Sequence, residues 1–370
     1  MTLINRLKAE HSLILSALSL ILVAVFHQDL FQDYSLTLSL TVFFILFIII
    51  IYAAMGVVHH AEILAYKFGE PFGTLILTFT AITVEIIMIT EIMLNGDEDP
   101  TFARDTIFST VMILLNGLIG LSMIIGGFKF GEQFFNLKSS VSFFSMILIV
   151  TGLGLIFPSI PHEGGHEKPY QIFLIIVCLS LYAFFVRMQT KEHKMYFSYS
   201  KHKMLSEIKE EFPGIDIKKE SAVYHSIIMV IAIVLISILA EYLSTAIDNG
   251  VYMLGLPKYL ASFIVALVII SPESLTAIRA ARNNEMQRTI NIALGSALST
   301  ITLTIPAVII VGFITGQQIT LALTPYMTVM LLITIIIGIL STSRGEANAL
   351  QGFIHFVLFA TYIFIIFLFQ

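Results

Sequence analysis

Tryptophan, cysteine and charge are scarce in this sequence. Tryptophan is absent, so only Tyr and Phe can anchor the chain at a membrane interface. The single cysteine, Cys178, lies in an apolar run and can form no internal disulfide, which excludes a small secreted fold held by disulfides. The net charge of −5 is too small to indicate a nucleic-acid partner. No Walker-type phosphate loop occurs, so an ATP-driven pump is not expected.

Apolar residues are abundant instead. They make up 57% of the 370 residues against 12% charged residues, which is typical of a polytopic membrane protein. Windows of about 20 apolar residues predict an all-α fold with eleven transmembrane helices. The predicted helices are 12–26, 36–58, 72–94, 106–128, 140–157, 171–187, 222–246, 259–280, 289–313, 321–340 and 348–369. No small-residue cleavage site follows the first window, so we interpret it as a retained leading helix rather than a signal peptide.

The basic residues predict how the chain is oriented in the membrane. Lys and Arg accumulate on the cytoplasmic side of membrane proteins. With the N-terminus inside, Arg104, Lys168 and Lys258 fall outside, which leaves seventeen of the twenty Lys and Arg inside. This bias supports both the helix count and an orientation with the N-terminus inside and the C-terminus outside.

A similar pattern of residues occurs twice. Glu62 is followed by Tyr66, Gly69, Pro71 and Glu85, and Glu241 is followed by Tyr252, Gly255, Pro257 and Glu273. Five helices and a polar linker separate the copies, so the two copies cross the membrane in opposite directions, as in secondary transporters with a site at the midplane. The predicted organisation is a leading helix at 1–34, a first five-helix repeat at 35–187, a cytoplasmic linker at 188–221 and a second five-helix repeat at 222–370.

Glu85 and Glu273 are the principal candidate site residues. A carboxylate at the centre of a bilayer costs roughly 2.5–3.5 kcal/mol on insertion scales, so a glutamate at this depth indicates a function. Two carboxylates in one poorly solvated site repel each other, and we expect at least one to hold a proton when no cation is bound. Competition between protons and a metal cation for the same oxygens is the chemistry that an antiporter needs.

Several polar residues near the two glutamates are candidate additional ligands. Pro272 disfavours regular helix at Ser271 and frees carbonyls near 268–271, and hard oxygen ligands suit calcium. The candidate ligands are Thr83, Ser271, Ser296, Ser299 and Asn116, with Asn116 matching Thr300 when Arg104 is aligned with Arg288. Helix packing explains the small residues around Ser296 equally well. Glu62 and Glu241 are predicted near opposite membrane faces, as access or relay carboxylates or as solvated interfacial residues.

Two blocks of the sequence closely resemble the signature repeats of ChaA-type bacterial proton antiporters. The blocks are HHAEILAYKFGEPFGTLILTFTAITVEIIMITEIM at 59–93 and SPESLTAIRAARNNEMQRTINIALGSALSTITLTIP at 271–306, and LAEYL at 239–243 resembles the acidic start of the second repeat. This family lies in the cation/proton exchanger branch of the calcium/cation antiporter superfamily. The resemblance implies an eleven-helix fold with one leading helix and two inverted five-helix repeats, in the bacterial cytoplasmic membrane.

The resemblance also implies an activity. Its expected form is exchange of cytoplasmic calcium for external protons, with sodium or potassium exchange as the alternative. By position, Glu85 and Glu273 match the family's paired transport glutamates and would bind the metal cation. The sequence departs from the commoner Gly-Asn-x-x-Glu form, because Ala81-Ile82 and Ile269-Ile270 stand where two asparagine ligands would be. The expected partners are the transported cation, protons and membrane lipid, and no cofactor is expected.

Other features carry weaker interpretations. His162, Glu163, His166 and Glu167 have the composition of a metal site but are interpreted as a solvated loop. His59 and His60 are interpreted as interfacial anchors, with pH sensing as the alternative. His355 is interpreted as a satisfied buried histidine. A cation channel is the rival function from another class. An intramembrane enzyme is not expected, because the sequence shows no nucleophile with a matching base at membrane depth.

Overall fold

A computed structural model of the chain describes residues 10–31, 35–68, 72–95, 99–160, 167–197 and 220–368. Within these residues the chain forms eleven main helices, each overlapping one predicted window. In chain order they are α1 His11–Val25, α2 Leu36–Phe68, α3 Phe72–Asn95, α4 Phe102–Phe130, α5 Leu137–Ser159, α6 Glu167–Glu192, α7 Ala222–Leu254, α8 Tyr259–Arg282, α9 Met286–Thr315, α10 Pro325–Thr342 and α11 Ala349–Leu368. Short helices His27–Phe31 and Lys194–Phe197 follow α1 and α6.

Nine of the helices in the described part of the chain are long and apolar enough to cross a membrane. Of the other two, α1 is a shorter apolar helix of 15 residues, and α3 has 24 residues, which is a sufficient length to span the bilayer. The chain is therefore a helical membrane protein with multiple spans, as the composition predicted.

Helices α2 and α7 are longer than predicted. Each has 33 residues, or about 50 Å at 1.5 Å per residue, whereas the hydrocarbon core of a bilayer is about 30 Å thick. The prediction ended them at 58 and 246, where polar residues begin. Polarity ends an apolar window but does not break a helix, and α7 continues until Gly255 caps it in the left-handed conformation. As a result, His59, His60 and Glu62 lie inside α2.

A short β-ribbon departs from the predicted all-α fold. Strand β1, Glu132–Phe134, pairs antiparallel with β2, Glu346–Asn348, in the register Gln133 to Ala347. These segments follow α4 and precede α11, two helices that pack against each other. Three residues are too few to show a strand periodicity, so no sequence pattern predicts this pairing.

The buried apolar side chains form two large clusters. One is built mainly from α4, α5 and α8 to α11, and the other from α1, α2, α3 and α7. Helix α4 lies deepest, since every residue from Phe102 to Gly120 is buried. Glu85 and Glu273 lie on α3 and α8, which contribute to different clusters and both contact α9.

Helices α4 and α9 each contain a π-helical stretch. These stretches are Ile113–Leu118, which contains Asn116, and Thr300–Thr304. π-Bulges occur frequently at functional sites because they turn side chains away from the regular helical positions. The two stretches coincide with Asn116 and Thr300, the residues that the sequence alignment of the halves paired.

Hydrogen bonds join the first part of the chain to the second at both ends of the helices. At one end, Lys129 Nζ donates to the carbonyl of Arg282 at 2.9 Å and Gln133 Nε2 donates to that of Ala281 at 2.9 Å. We call this end the basic face. At the opposite face, the amide of Thr320 donates to the carbonyl of Pro100 at 2.8 Å.

Some predicted features lie wholly or partly outside the described residues. Gly69, Pro71 and the histidines 162 and 166 with Glu163 are among them, as are residues 198–219 of the predicted linker. The described beginning of that linker, residues 188–197, continues α6 to Glu192 and forms the helix Lys194–Phe197.

Candidate functional site

Glu85 lies in the interior of the protein. Its side chain projects from α3 between buried apolar residues, and only 2% of Glu85 is exposed. Its Oε2 accepts a hydrogen bond of 2.8 Å from the hydroxyl of Thr300 on α9. Among the described residues, Oε1 has no hydrogen-bond partner. A buried carboxylate with one free oxygen requires a proton or a cation to be stable there.

Glu273 is held in a similar way on α8. Its Oε2 accepts a hydrogen bond from the hydroxyl of Ser296, which also lies on α9. Pro272 is buried directly before it, and α8 continues through the proline as one helix from Tyr259 to Arg282. The hydroxyl of Ser271 bonds to the carbonyl of Leu267, one turn earlier. The disruption of regular helix that the sequence predicts at Ser271 is therefore wrong, because α8 accommodates the proline without a break.

Helix α9 brings the two glutamates together. Ser296 and Thr300 are four residues apart, which is about one turn and about 6 Å along a helix. Each donates its hydroxyl to a different glutamate, one from α3 and one from α8. That Glu85 and Glu273 share one site stays a prediction, and the two hydrogen bonds from one turn of α9 are the contacts that support it.

Three candidate hydroxyls bond within their own helices instead. The hydroxyl of Thr83 donates to the carbonyl of Phe79 at 2.6 Å, and that of Ser299 donates to the carbonyl of Gly295 at 2.9 Å. Ser271 does the same with Leu267. Ser and Thr in apolar helices commonly satisfy their hydroxyls in this way. Ser296 is the one member of the five-residue candidate set for which the described part of the chain gives a hydrogen bond to a glutamate.

Asn116 belongs to a separate buried network. Its amide nitrogen donates to Thr334 Oγ1 at 2.8 Å, and its amide oxygen lies 3.3 Å from Nδ1 of His355. The other ring nitrogen of His355 contacts the Ser341 hydroxyl at 2.7 Å. The network joins α4, α10 and α11. His355 is fully buried and hydrogen-bonded, as its position in an apolar run predicted.

The acidic residues outside the pair lie at different depths. Glu62 is half-buried on α2, and Glu241 is exposed on α7. Sequence reasoning missed Glu91, which follows Glu85 on α3 and accepts a hydrogen bond of 3.1 Å from Ser237 of α7. The cost of a carboxylate in an apolar helix, the argument that selected Glu85, also applies to Glu91.

The described residues contain no cluster of three or more His, Cys, Asp or Glu side chains able to hold a metal ion. The carboxylates of Glu85 and Glu273 and the hydroxyls of Ser296 and Thr300 offer oxygen atoms, which are the ligands that hard cations prefer. Of the predicted outer-loop group, Glu167 is described and begins α6.

Comparison with known proteins identifies the family. A sequence model of the sodium/calcium exchanger protein family matches residues 38–191 and again residues 224–368. The chain belongs to this family. It is a membrane transporter and not an enzyme, which confirms the resemblance seen in the sequence.

Individual relatives agree with this assignment. The chain is 32% identical over 318 residues to the sodium-potassium/proton antiporter ChaA of Escherichia coli (strain K12), with 86% of each chain covered. It is 26% identical to the Ca2+/H+ antiporter of Aphanothece halophytica, with 79% of this chain and 76% of that protein covered.

Solved structures share the fold. Native YfkE superposes with a TM-score of 0.73 at 18% identity and covers 96% of this chain and 99% of its own. The H+/Ca2+ exchanger CAX superposes with a TM-score of 0.66 at 16% identity, over 96% of this chain and 88% of its own. At these identities the likeness concerns the fold alone.

Proposed function

We propose that this protein exchanges protons for a metal cation at Glu85 and Glu273, by alternating access. The observation that carries the proposal is the shared turn of α9, where Thr300 donates to the buried carboxylate of Glu85 and Ser296 donates to the half-buried carboxylate of Glu273. This arrangement holds two negative charges in an interior that cannot stabilise both of them alone. The expected location is the bacterial cytoplasmic membrane, with the N-terminus inside.

The coupling follows from the charge of the site. When both glutamates are protonated the site is neutral, and when both are ionised it requires a cation. When the site is empty and both glutamates are ionised, the two uncompensated charges have a high free-energy cost in the apolar interior. The protein in this state therefore does not switch access from one face to the other. A cation that enters must displace protons, and protons that enter must displace the cation. The protein therefore moves the two in opposite directions.

Sodium or potassium is the cation that we propose first. The E. coli relative is named as a sodium-potassium/proton antiporter. Residues 82 and 270 are isoleucines, and Asn116 is engaged by Thr334 and His355, so none of these three positions supplies an amide oxygen to the carboxylates. Calcium takes six to eight oxygen ligands and gains most from such additional donors.

Calcium, the cation that the sequence analysis expected, is the second candidate. Two carboxylates match the charge of one divalent cation, and carboxylate and hydroxyl oxygens are the hard ligands that calcium prefers. The relative from Aphanothece halophytica is named as a Ca2+/H+ antiporter. Both candidates use the same two glutamates.

We also propose that all eleven main helices cross the membrane and that α2–α6 and α7–α11 form two inverted repeats. The family model matches this chain twice, once over each set of five helices. Buried Arg104 and Arg288 lie near the starts of α4 and α9, each paired with an acid, Asp105 at 2.6 Å and Glu285 at 3.5 Å. Equivalent elements with equivalent charges support a common architecture for the two sets.

Ion flux into proteoliposomes tests the proposal. Purified protein is reconstituted, a pH gradient is imposed, and uptake of sodium, potassium and calcium is measured separately. We expect uptake that follows the gradient and stops when a protonophore collapses it. A flux that ignores the proton gradient would identify a channel and overturn the antiporter proposal. Uptake of calcium but not of sodium or potassium would replace the first candidate by the second.

A further inference from the structure

A chain of titratable side chains lies at the basic face, where α1, α2 and α7 meet. Nδ1 of His60 on α2 lies 2.8 Å from Nδ1 of His225 on α7. On the other side of His60, Nε2 lies 3.1 Å from Oε2 of Glu10, the residue before α1. Both imidazoles are almost fully buried, with 4% of each residue exposed. The sequence predicts an interfacial anchor at His60, with pH sensing as the alternative, whereas the structure places His60 at the centre of this cluster.

The distances determine where the protons of the neutral chain must lie. Two imidazole nitrogens at 2.8 Å share one proton, so one ring donates and the other accepts. His60 Nε2 faces a carboxylate and must carry a proton to donate to Glu10. A neutral His60 then accepts at Nδ1, and His225 donates from its own Nδ1. Tyr224 completes the arrangement by donating its hydroxyl to Oε1 of Glu10 at 2.8 Å.

This assignment leaves a basic nitrogen facing a carboxylate. With its proton on Nδ1, neutral His225 has a lone pair at Nε2, and that atom lies 3.5 Å from Oε2 of Glu220. Among the described residues, no donor forms a hydrogen bond with this buried nitrogen. A proton between His225 Nε2 and Glu220 Oε2 would replace their repulsion by a charge-assisted hydrogen bond. The Glu220 side chain is 17% exposed, so it connects the buried ring with solvent.

We infer that His225 Nε2 is a second proton-binding site, separate from Glu85 and Glu273, which takes up a proton from the basic face and pairs with Glu220. The proton makes His225 a cation that donates at both ring nitrogens. Its hydrogen bond to His60 becomes charge-assisted and roughly twice as strong as a neutral one. The proton therefore tightens the contact between α2 and α7.

The surrounding charges define the setting of this site. Burial alone would raise the pKa of the Glu10 carboxyl, but hydrogen bonds with His60 and Tyr224, together with the charge of each histidine when its ring is protonated, hold that pKa below its ordinary value of 4.5. Glu10 is therefore ionised at neutral pH. His59 on α2 and His11 on α1 add nearby titratable rings. Lys67 donates to the backbone carbonyl of Glu220.

The proton site at His225 lies on helices that contact α3, and the coupling argued from this contact rests on the proposed function. Both α2 and α7 pack against α3, the helix that carries Glu85. Alternating access requires helices to separate at one face and then at the other. A proton that tightens α2 against α7 at the basic face opposes this separation there, so protonation of His225 slows exchange.

Titration of the full-length protein tests the site without any transport assay. In protein labelled with 15N in its histidine rings, the NMR signals of His225, assigned by their loss in His225→Gln, should shift between about pH 4 and 8 as the ring takes up a proton. Glu220→Gln should move the midpoint to lower pH by about one unit, because the carboxylate that stabilises the cation is gone. A His225 signal that does not titrate in this range overturns the inference, as does an unchanged midpoint in Glu220→Gln.

Exchange measurements test the coupling. Proteoliposomes are assayed over a series of pH values with the pH difference across the membrane held constant. The wild-type rate should fall several-fold as both solutions become more acidic, and His225→Gln should lose most of this fall and keep the higher rate. His193→Gln, at a half-buried histidine that stacks on Tyr196 outside the cluster, is the matched control and should retain the wild-type profile. A wild-type profile in His225→Gln would overturn the coupling, whereas absence of exchange in the wild type would overturn the proposed function and leave the titration result intact.

Discussion

Two carboxylates within the membrane-spanning helices of a protein must each exchange a proton for another positive charge if they take part in transport. Glu85→Gln and Glu273→Gln keep the shape of each side chain and remove its charge. We expect each single variant to lose exchange, because a site with one carboxylate cannot alternate between the doubly protonated and the cation-bound form. Proton-driven uptake in proteoliposomes is the measurement, with size-exclusion profiles to check folding.

The matched control for these variants is Glu241→Gln. Glu241 lies on α7 and is exposed, so its loss should leave most of the exchange activity in place. Substantial transport by either Glu85→Gln or Glu273→Gln would remove that residue from the proposed site.

Substitution of Thr300 tests whether its hydroxyl takes part in the proposed site. It donates to Glu85 at 2.8 Å, and a hydrogen bond to a charged group contributes about 1.5–3 kcal/mol. Thr300→Ala should therefore raise the apparent KM for the cation by about tenfold or more, since 1.4 kcal/mol corresponds to a factor of ten. Thr83→Ala is the control, because that hydroxyl bonds to its own helix. Equal effects of the two substitutions would show that the contact with Glu85 does not matter for binding.

The sequence predicted part of the site because membrane burial of charge is costly in any fold. That argument located Glu85 and Glu273 without knowledge of their neighbours. It did not predict which hydroxyls face them, because the direction of a side chain depends on how helices pack. Asn116 illustrates the limit: its position in the repeat matches Thr300, yet His355 and Thr334 of two later helices bind its amide.

At the scale of the elements, glycines determine how closely α4 and α11 approach. A Cβ placed on Gly352 would lie 2.6 Å from the backbone nitrogen of Ile124 and 2.7 Å from the carbonyl oxygen of Gly120. Backbone atoms cannot move aside as a flexible side chain can, so the helices would have to separate. Overpacking of this kind costs typically 1–3 kcal/mol.

Gly352→Ala should therefore lower the thermal stability of the purified protein in detergent. Gly152→Ala is the control, because a Cβ at Gly152 meets nothing within 4 Å and Gly152 also lies in a helical segment. We expect Gly152→Ala to be neutral or slightly stabilising, as alanine favours helix over glycine by about 0.5–1 kcal/mol. A melting temperature for Gly352→Ala that equals the wild-type value would contradict the proposed close contact.

The helices were easier to predict than their ends. A run of about 20 apolar residues identifies a span because the bilayer sets its length. The bilayer does not set where the helix stops outside the hydrocarbon, and α2 and α7 continue past the predicted ends to Phe68 and Leu254. The π-helical stretches at Ile113–Leu118 and Thr300–Thr304 also left no sequence signal, since they depend on packing against neighbouring helices.

At the scale of the whole molecule, the distribution of basic residues and the hydrogen bonds between loops separate two faces. Lys129 and Arg282 meet at the basic face, and Pro100 and Thr320 meet at the other. The sequence predicted the sidedness from the excess of Lys and Arg, which membrane insertion retains on the cytoplasmic side. It could not predict the pairing of these loops, because their contacts form between residues far apart in the chain.

Cysteine labelling can test this orientation because the chain has so little cysteine. Cys178 is buried with 1% of the residue exposed, so the background with a membrane-impermeant maleimide should be low. Gln318→Cys places a thiol on an exposed residue near Thr320, and Lys191→Cys places one on an exposed residue at the end of α6. In intact cells Gln318→Cys should be labelled, whereas Lys191→Cys should react only after the membrane is permeabilised. The reverse pattern would show that the basic face is outside, so that the proton site at His225 would sense the external solution instead of the cytoplasm.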